Sequence, residues 1–320
     1  MGKIAVDLEA ALQRRDVHGA RGATQMRTLA AGDGWTVMDV LCTFGPHDRP
    51  FEERHSGVCV AMVVAGAFGY RASTGRELLT PGSLLLGNAG ECFECGHRHA
   101  PGDRCVSFHY QPGYFERLAA DAGFSCADVP FRHGSMPPLR AFSGLIARAC
   151  AGATAAAPFD AWDELAVDLV EATLRSAQAD ANRDAKRNAR RGTVETSASA
   201  CSRVTQVARL IDEAPDAPHT LASLAQMCGL SDFYFLRTFE RVTGVTPHQY
   251  VLRARLRHAA LRLATEDAKI VDIAFDSGFN DVSNFNHAFR TEFGMSPRAW
   301  RMRRGARAER VMRRYEAFKA

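Results

Sequence analysis

Between residues 35 and 110 the apolar residues fall in short runs: WTVMDVLCTF, GVCVAMVVAGAF, ELLT, SLLLGN and RCVSFHY. Gly, Pro, Asp or Asn interrupts them every few positions, and Pro81-Gly82 forms a turn dipeptide between two of them. Short runs at such even spacing predict an antiparallel β-barrel or sandwich. The period then changes. Residues 113–122 and 138–150 read as helices. Residues 159–178 carry Trp162, Leu165, Leu169 and Val170 at helical spacing, with acidic residues between them. Such a helix packs on its own barrel or on a partner subunit. Residues 179–202 almost lack large apolar side chains and cannot offset their ordering entropy, which predicts a flexible linker. From 203 to 300 the period is helical throughout. The chain therefore reads as an α+β multidomain protein. An antiparallel β-barrel with helices spans 1–178, a linker spans 179–202, and an all-α domain spans 203–320.

The all-α part contains a repeat. Leu221, Leu224, Ala225 and Gly229 lie 49 residues before Ile270, Ile273, Ala274 and Gly278, and Phe239, Gly244, Pro247 and Tyr250 lie 50 before Phe289, Gly294, Pro297 and Trp300. Each copy describes a short helix with a small central residue, then a glycine turn, then a second helix. Ser231 and Asp281 are candidate N-caps of the second helices. Phe235 and Phe239, or Phe285 and Phe289, sit four apart on its inner face, and Gly244 or Gly294 closes it. This is a helix-turn-helix, made twice. Between the copies, residues 247–265 form a long basic amphipathic helix marked by Leu252, Leu256 and Leu263. It can hold the two second helices for successive major-groove faces, about 34 Å apart on DNA.

These residues resemble a known family. Residues 203–302 are similar to the DNA-binding domain of AraC/XylS-type transcriptional regulators, and the run from Ile273 to Arg301, I-A-x-x-x-G-F-x-D-x-S-x-F-x-x-x-F-R-x-x-F-G-x-S-P-x-x-W-R, carries most of the match. The resemblance implies sequence-specific binding to double-stranded promoter DNA and, most often, activation through RNA polymerase. It also implies a cupin-like N-terminal half that binds an effector, with a helical element making a homodimer.

On the first recognition helix the outward candidates are Asp232, Phe233, Leu236, Arg237 and Glu240, capped by Ser231. Arg237 matches a family position that often meets bases, and an Arg there can pair bidentately with guanine. Phe233 and Leu236 either contact thymine methyls or pack on a neighbouring helix. On the second, after Asp281, the candidates are Val282, Ser283, Asn284, Asn286, His287 and Arg290. Asn284 and Asn286 can read adenine edges. His287 stands where the family commonly has Arg, and Arg290 suits a phosphate. Eight arginines between 298 and 314 form a basic tail that either neutralises phosphates or stays solvated.

Charge sharpens the division. The net charge of +4 splits into 21 Lys and Arg against 23 Asp and Glu in residues 1–200, and 19 against 13 in residues 201–320. The halves stand at −2 and +6, so the basic excess accompanies the repeat, as a polyanionic partner requires. No apolar run nears the roughly 18 residues of a membrane span, and the opening residues lack a signal-peptide core. The expectation is a cytoplasmic protein with no membrane partner.

Three of the nine cysteines crowd into one segment, GECFECGHRHAPGDRCVSFH. Cys92, Cys95, His97, His99, Cys105 and His109 form a ligand set suited to Zn or another transition metal, with His47 and His55 able to join. Two other readings stand beside it: a redox or electrophile sensor built on Cys92 or Cys95, and buried thiols packed beside an organic-effector pocket. No Ser-His-Asp set, phosphate loop or dinucleotide motif occurs, so the chain reads as a regulator and not an enzyme. The alternative is a cupin-type metalloenzyme or a Cys-based alkylation-repair protein with a DNA-binding domain.

Overall fold

The computed structural model describes residues 3–50, 52–98, 100–125, 131–154, 161–187 and 198–303. Helix α1 (Lys3–His18) comes first. Its apolar residues Ile4, Leu8 and Leu12 pack on Leu41, Val64 and Ala65. Strands β1 (Thr24–Gly32), β2 (Trp35–Cys42), β3 (Glu52–Arg54), β4 (Val58–Gly66), β5 (Phe68–Ala72), β6 (Gly75–Leu79), β7 (Leu84–Gly87), β8 (Cys92–Gly96) and β9 (Asp103–Tyr110) follow. Then come helix α2 (Pro112–Asp121), strand β10 (Ser135–Met136), and helices α3 (Arg140–Thr154) and α4 (Trp162–Arg187). The strands form two antiparallel sheets, in the orders β1-β2-β9-β4-β7-β10 and β3-β8-β5-β6. Among the described residues, hydrogen bonding does not close them into one barrel.

The central strands are buried on both faces. Along β4, Val58, Val60 and Met62 join the core under α2, α3 and α4, while Cys59, Ala61 and Val63 face Phe68, Tyr70 and Leu79 of the second sheet. Two buried faces explain why this strand reads as an unbroken apolar run. Trp162, Leu165, Leu169 and Val170 of α4 pack on the chain's own six-stranded sheet. Arg104 of β9 bonds both carboxylate oxygens of Asp39 at 2.8 and 2.9 Å and reaches Asp7 of α1 at 3.0 Å, fixing that helix to the sheet. A buried pair of this kind orients elements more than it adds net stability.

The segment expected to be linker from residue 179 begins as helix. Helix α4 continues to Arg187, and α5 (Ala198–Glu213) starts before residue 202. Ala, Asp, Arg and Lys propagate a helix already nucleated by the packed Trp162–Leu174 face, without needing an apolar face of their own. Residues 188–197 lie outside the described residues.

The remainder is helical: α6 (Leu221–Met227), α7 (Asp232–Thr243), α8 (Pro247–Thr265), α9 (Ile270–Asp276) and α10 (Val282–Phe293). Each pair α6–α7 and α9–α10 has its own core. The Phe235 and Phe239 rings lie tilted with centres 5.6 Å apart, and Phe239 meets Tyr250 of α8 edge-on. Phe285, Phe289 and Phe293 gather around Trp300, with Leu256, Ala260 and Leu263 of α8 beneath them. Ser231 caps α7 by accepting from the Tyr234 N–H, and Asp281 caps α10 by accepting from the Ser283 and Asn284 N–H groups. Gly244 and Gly294 end these helices at φ 75° and 72°.

The two modules touch along α3. Ala147 enters the α8–α10 core, Ser143 donates to Glu292, and Arg253 donates to the Pro138 carbonyl at 2.6 Å. The two closing glycines therefore differ. A Cβ on Gly294 meets open space, whereas one on Gly244 would lie 2.5 Å from the Pro137 side chain. Gly294→Ala is expected to cost roughly 1–2 kcal/mol, the left-handed penalty alone. Gly244→Ala should cost more, and urea unfolding of the two variants checks this. Equal costs would show that the Pro137 contact does not matter.

Candidate functional site

The second helix of each unit presents one face to its core and the other to solvent. On α7 the 3.6-residue period buries Phe235, Thr238 and Phe239, so Asp232, Phe233, Arg237 and Glu240 are exposed and Leu236 is half-buried. On α10 it buries Phe285 and Phe289, which leaves Ser283, Asn284, Asn286, His287 and Arg290 exposed and Val282 half-buried. Ser231 and Asp281 also lie at this surface, but their side chains are committed to the N–H groups of their own helices.

Phe233 is 67% exposed, and the Arg237 guanidinium lies 5.2 Å from its ring centre. That contact limits the rotamers of Arg237 while leaving its donors free to reach outward. Tyr234, 60% exposed beside Phe233, extends the same surface. It escapes sequence reading because nothing in the apolar period separates an outward tyrosine from a core one. The arginines of 304–314 lie outside the described residues.

The expected metal-ligating residues divide by strand alternation. On β8, Phe93 and Cys95 face the space between the sheets, and Cys92 faces away, opposite Arg54 of β3. His97, just beyond β8, pairs with Asp103 at 2.6 Å, and both are buried. Burial alone would lower the His97 pKa. Hydrogen bonds with Asp103 and Cys42 override it and raise the value to about 10, which holds the ring as an imidazolium. Cys105 donates to the other Asp103 oxygen at 3.4 Å. Burial pushes the Cys95 thiol up, and the Asp103 charge adds to it. Cys95 is therefore held protonated instead of activated as a thiolate.

His109 is drawn elsewhere, to Ser107 at 2.6 Å, with Ser107 in turn 3.6 Å from Cys59. His55 contacts the Tyr70 hydroxyl at 3.0 Å and stacks on Phe93. His99 lies outside the described residues. Asp103 and Cys42 are the residues that sequence reading missed. They face each other across β2 and β9, and only the strand register brings them together. The eight described cysteines are all free thiols.

A helix-turn-helix domain model matches residues 224–303. The regulatory protein SoxS of Salmonella typhimurium is 38% identical over 93 residues, covering 29% of this chain and 87% of that protein. The transcriptional activator NphR of a Rhodococcus species is 32% identical over 154 residues, covering 47% of this chain and 40% of its own. The transcriptional activator RhaS of Escherichia coli is 40% identical over 76 residues, covering 24% of this chain and 27% of that protein. Among solved structures, the DNA-binding domain of AdpA in complex with a target DNA is 28% identical, covering 33% of this chain and 95% of that one with a TM-score of 0.32. The C-terminal segment is thus a double helix-turn-helix domain. The chain belongs to the AraC/XylS family of transcriptional regulators. No helix among the described residues is long and apolar enough to cross a membrane.

The histidines also set a pH response. Burial holds the His55 pKa near 4, below its ordinary 6.5. The unfolded chain therefore takes up this proton first as pH falls, and stability present above pH 6.5 is lost through about pH 4. Half-buried His109, whose pKa desolvation also lowers, acts with the same sign. His55→Gln is expected to flatten the fall in urea midpoint between pH 6.5 and 4.5 relative to wild type. Parallel profiles for the two proteins would refute this role.

Proposed function

We propose that the chain is a sequence-specific DNA-binding transcriptional regulator, an activator like its relatives of that description, whose two-sheet N-terminal module is the cupin-like effector domain. One observation carries the reading: two capped helices expose Arg237, Asn284, Asn286 and Arg290 while one helix, α8, enters the cores beneath both. Its 19 residues span about 28 Å at 1.5 Å each. That length suits recognition helices that occupy neighbouring major-groove faces of one duplex, about 34 Å apart.

In this role Arg237 reads a base, its fork matching guanine O6 and N7. Asn284 and Asn286 present amides to adenine edges, His287 offers one ring donor or acceptor, and Arg290 sits where a phosphate contact sets position. The +6 charge of residues 201–320 adds a salt-dependent attraction. The partners are double-stranded promoter DNA, RNA polymerase when it activates, a second copy of the chain, and an effector held between the sheets. Its place of work is the cytoplasm, with the DNA. The N-terminal module communicates through α3, which contacts α8 and α10 directly. A regulator of this type performs no catalysis.

Selecting duplexes from a random-sequence pool with the full chain should enrich a two-part motif whose centres lie about 10 base pairs apart. On the enriched duplex, Arg237→Ala should weaken binding by roughly 1–3 kcal/mol and relax preference at one base position. Arg290→Ala should weaken all sequences alike and lower the salt slope by about 1. A pool that emerges without any motif would sink the proposal.

A further inference from the structure

We propose that Cys42, His97, Asp103 and Cys105 form a transition-metal site of the zinc type between the two sheets, and that the loop joining His97 to Asp103 carries its state to the DNA-binding domain. Among the described residues, the Cys42 sulfur, a His97 ring nitrogen and an Asp103 oxygen lie within 4.8 Å of one another, and all three residues are buried. Cys105, also buried, stands at the second Asp103 oxygen.

The placement follows from the strands. Cys42 and Asp103 are register partners on β2 and β9, and Asp103 and Cys105 are two apart on one face of β9. His97 comes in from the end of β8 in the other sheet. Thiolate, imidazole and carboxylate are together a zinc donor set. Donor atoms around a tetrahedral zinc stand roughly 3.5 Å apart, given metal–ligand distances near 2.0–2.3 Å. The Cys42, His97 and Asp103 donors lie within 4.8 Å of one another, near that range, and Cys105 stands outside the group at 3.4 Å from the second Asp103 oxygen. To admit an ion the 2.6 Å His97–Asp103 contact must open and Cys105 must turn in toward it, and the thiols and the His97 imidazolium would bind the ion after releasing their protons. Phe44 and Phe68 flank the His97 ring, an apolar shell that limits its motion and excludes water.

The same loop faces the other domain across a cleft. Ala100 and Pro101, between the two ligands, line a cleft whose near wall includes Leu8 and Gly66 and whose far wall includes Asp212 of α5 and Arg257 of α8. Within the loop, the Gly102 N–H donates to the Phe44 carbonyl at 2.8 Å, two residues beyond Cys42. Opening the His97–Asp103 pair around an ion therefore moves the near wall of the cleft whose far wall α5 and α8 form. This coupling rests on the DNA-binding reading, whereas the metal site does not.

The test uses the full chain stripped with a chelator and titrated with Zn2+ and, for its spectrum, Co2+. Wild type should bind one ion, and its Co2+ form should show a thiolate-to-metal charge-transfer band. Cys42→Ser and Cys105→Ser should each reduce that band, by about half for two thiolate ligands. Asp103→Asn should weaken binding about tenfold or more. Cys92→Ser, facing the opposite way, should bind as wild type. Absence of tight binding by folded wild type, or a Co2+ spectrum without the thiolate band, would overturn the site, and it decides even where a variant fails to fold. The selected duplex should then differ in affinity by about fivefold or more between the Zn2+-loaded and stripped chain. Equal affinities would overturn the coupling. Failure to bind any duplex in either form would refute the DNA-binding reading and leave the metal result standing.

Discussion

Helix α8 is buried at its two ends in two different cores. Tyr250, Val251 and Ala254 close the first unit, and Leu256, Ala259, Ala260 and Leu263 close the second. A rigid helix has one length, so the offset and rotation between α7 and α10 follow from where these residues fall on it. Large rings secure both contacts: Tyr250 packs edge-on to Phe239 at 5.5 Å, and Trp300 packs against Phe289 at 6.1 Å. The Trp300 indole N–H donates to the Ala260 carbonyl, and the Tyr250 hydroxyl donates to Asp212 of α5. Both rings thus bury their apolar bodies without stranding a polar atom. The exposed faces of α7 and α10 owe their relative placement to this arrangement.

A comparable constraint shapes the N-terminal module. Its middle strands are covered by helices on one side and by a second sheet on the other. Polar side chains that point into the gap between the sheets lose their water and have to find each other. They do so in small groups: His97 with Asp103, Cys42 and Cys105; His109 with Ser107; His55 with Tyr70. The concentration of donors is therefore a property of the two-sheet design. Arg104, on the opposite face of the same strand as Asp103, holds Asp39 of β2 and anchors α1 through Asp7.

The C-terminal domain was legible almost residue by residue. Its caps, its closing glycines and its core phenylalanines are local devices acting over three or four positions, and the repeat states each of them twice. The exposed residues of α7 and α10 followed from the same period. The sensor side was legible only as a list of chemistries. The C-x2-C spacing suggested a pair, yet on a strand an odd separation puts the two side chains on opposite faces, and Cys92 and Cys95 part accordingly. Helix α1 and strand β1 lie outside the segments whose period stood out, because α1 buries only a narrow apolar stripe and β1 lies mostly in solvent. The run after residue 178 carried no apolar signal, although α4 continues into it as far as Arg187.

By itself the sequence determined what local periodicity and capping can decide: two helix-turn-helix units, the face each recognition helix exposes, a basic C-terminal half, and a strand-rich module ahead of them. Tertiary structure decided everything that depends on residues meeting across strands or modules. Cys42 meets Asp103 because β2 pairs with β9 in one register, sixty-one positions apart in the chain. Helix α3 meets α8 and α10 because Ala147, Ser143 and Pro138 complete surfaces made by residues more than a hundred positions away. Helical spacing repeats within a few residues and can be read along a chain. Register and docking are set by the burial of whole faces, which no short stretch of sequence contains.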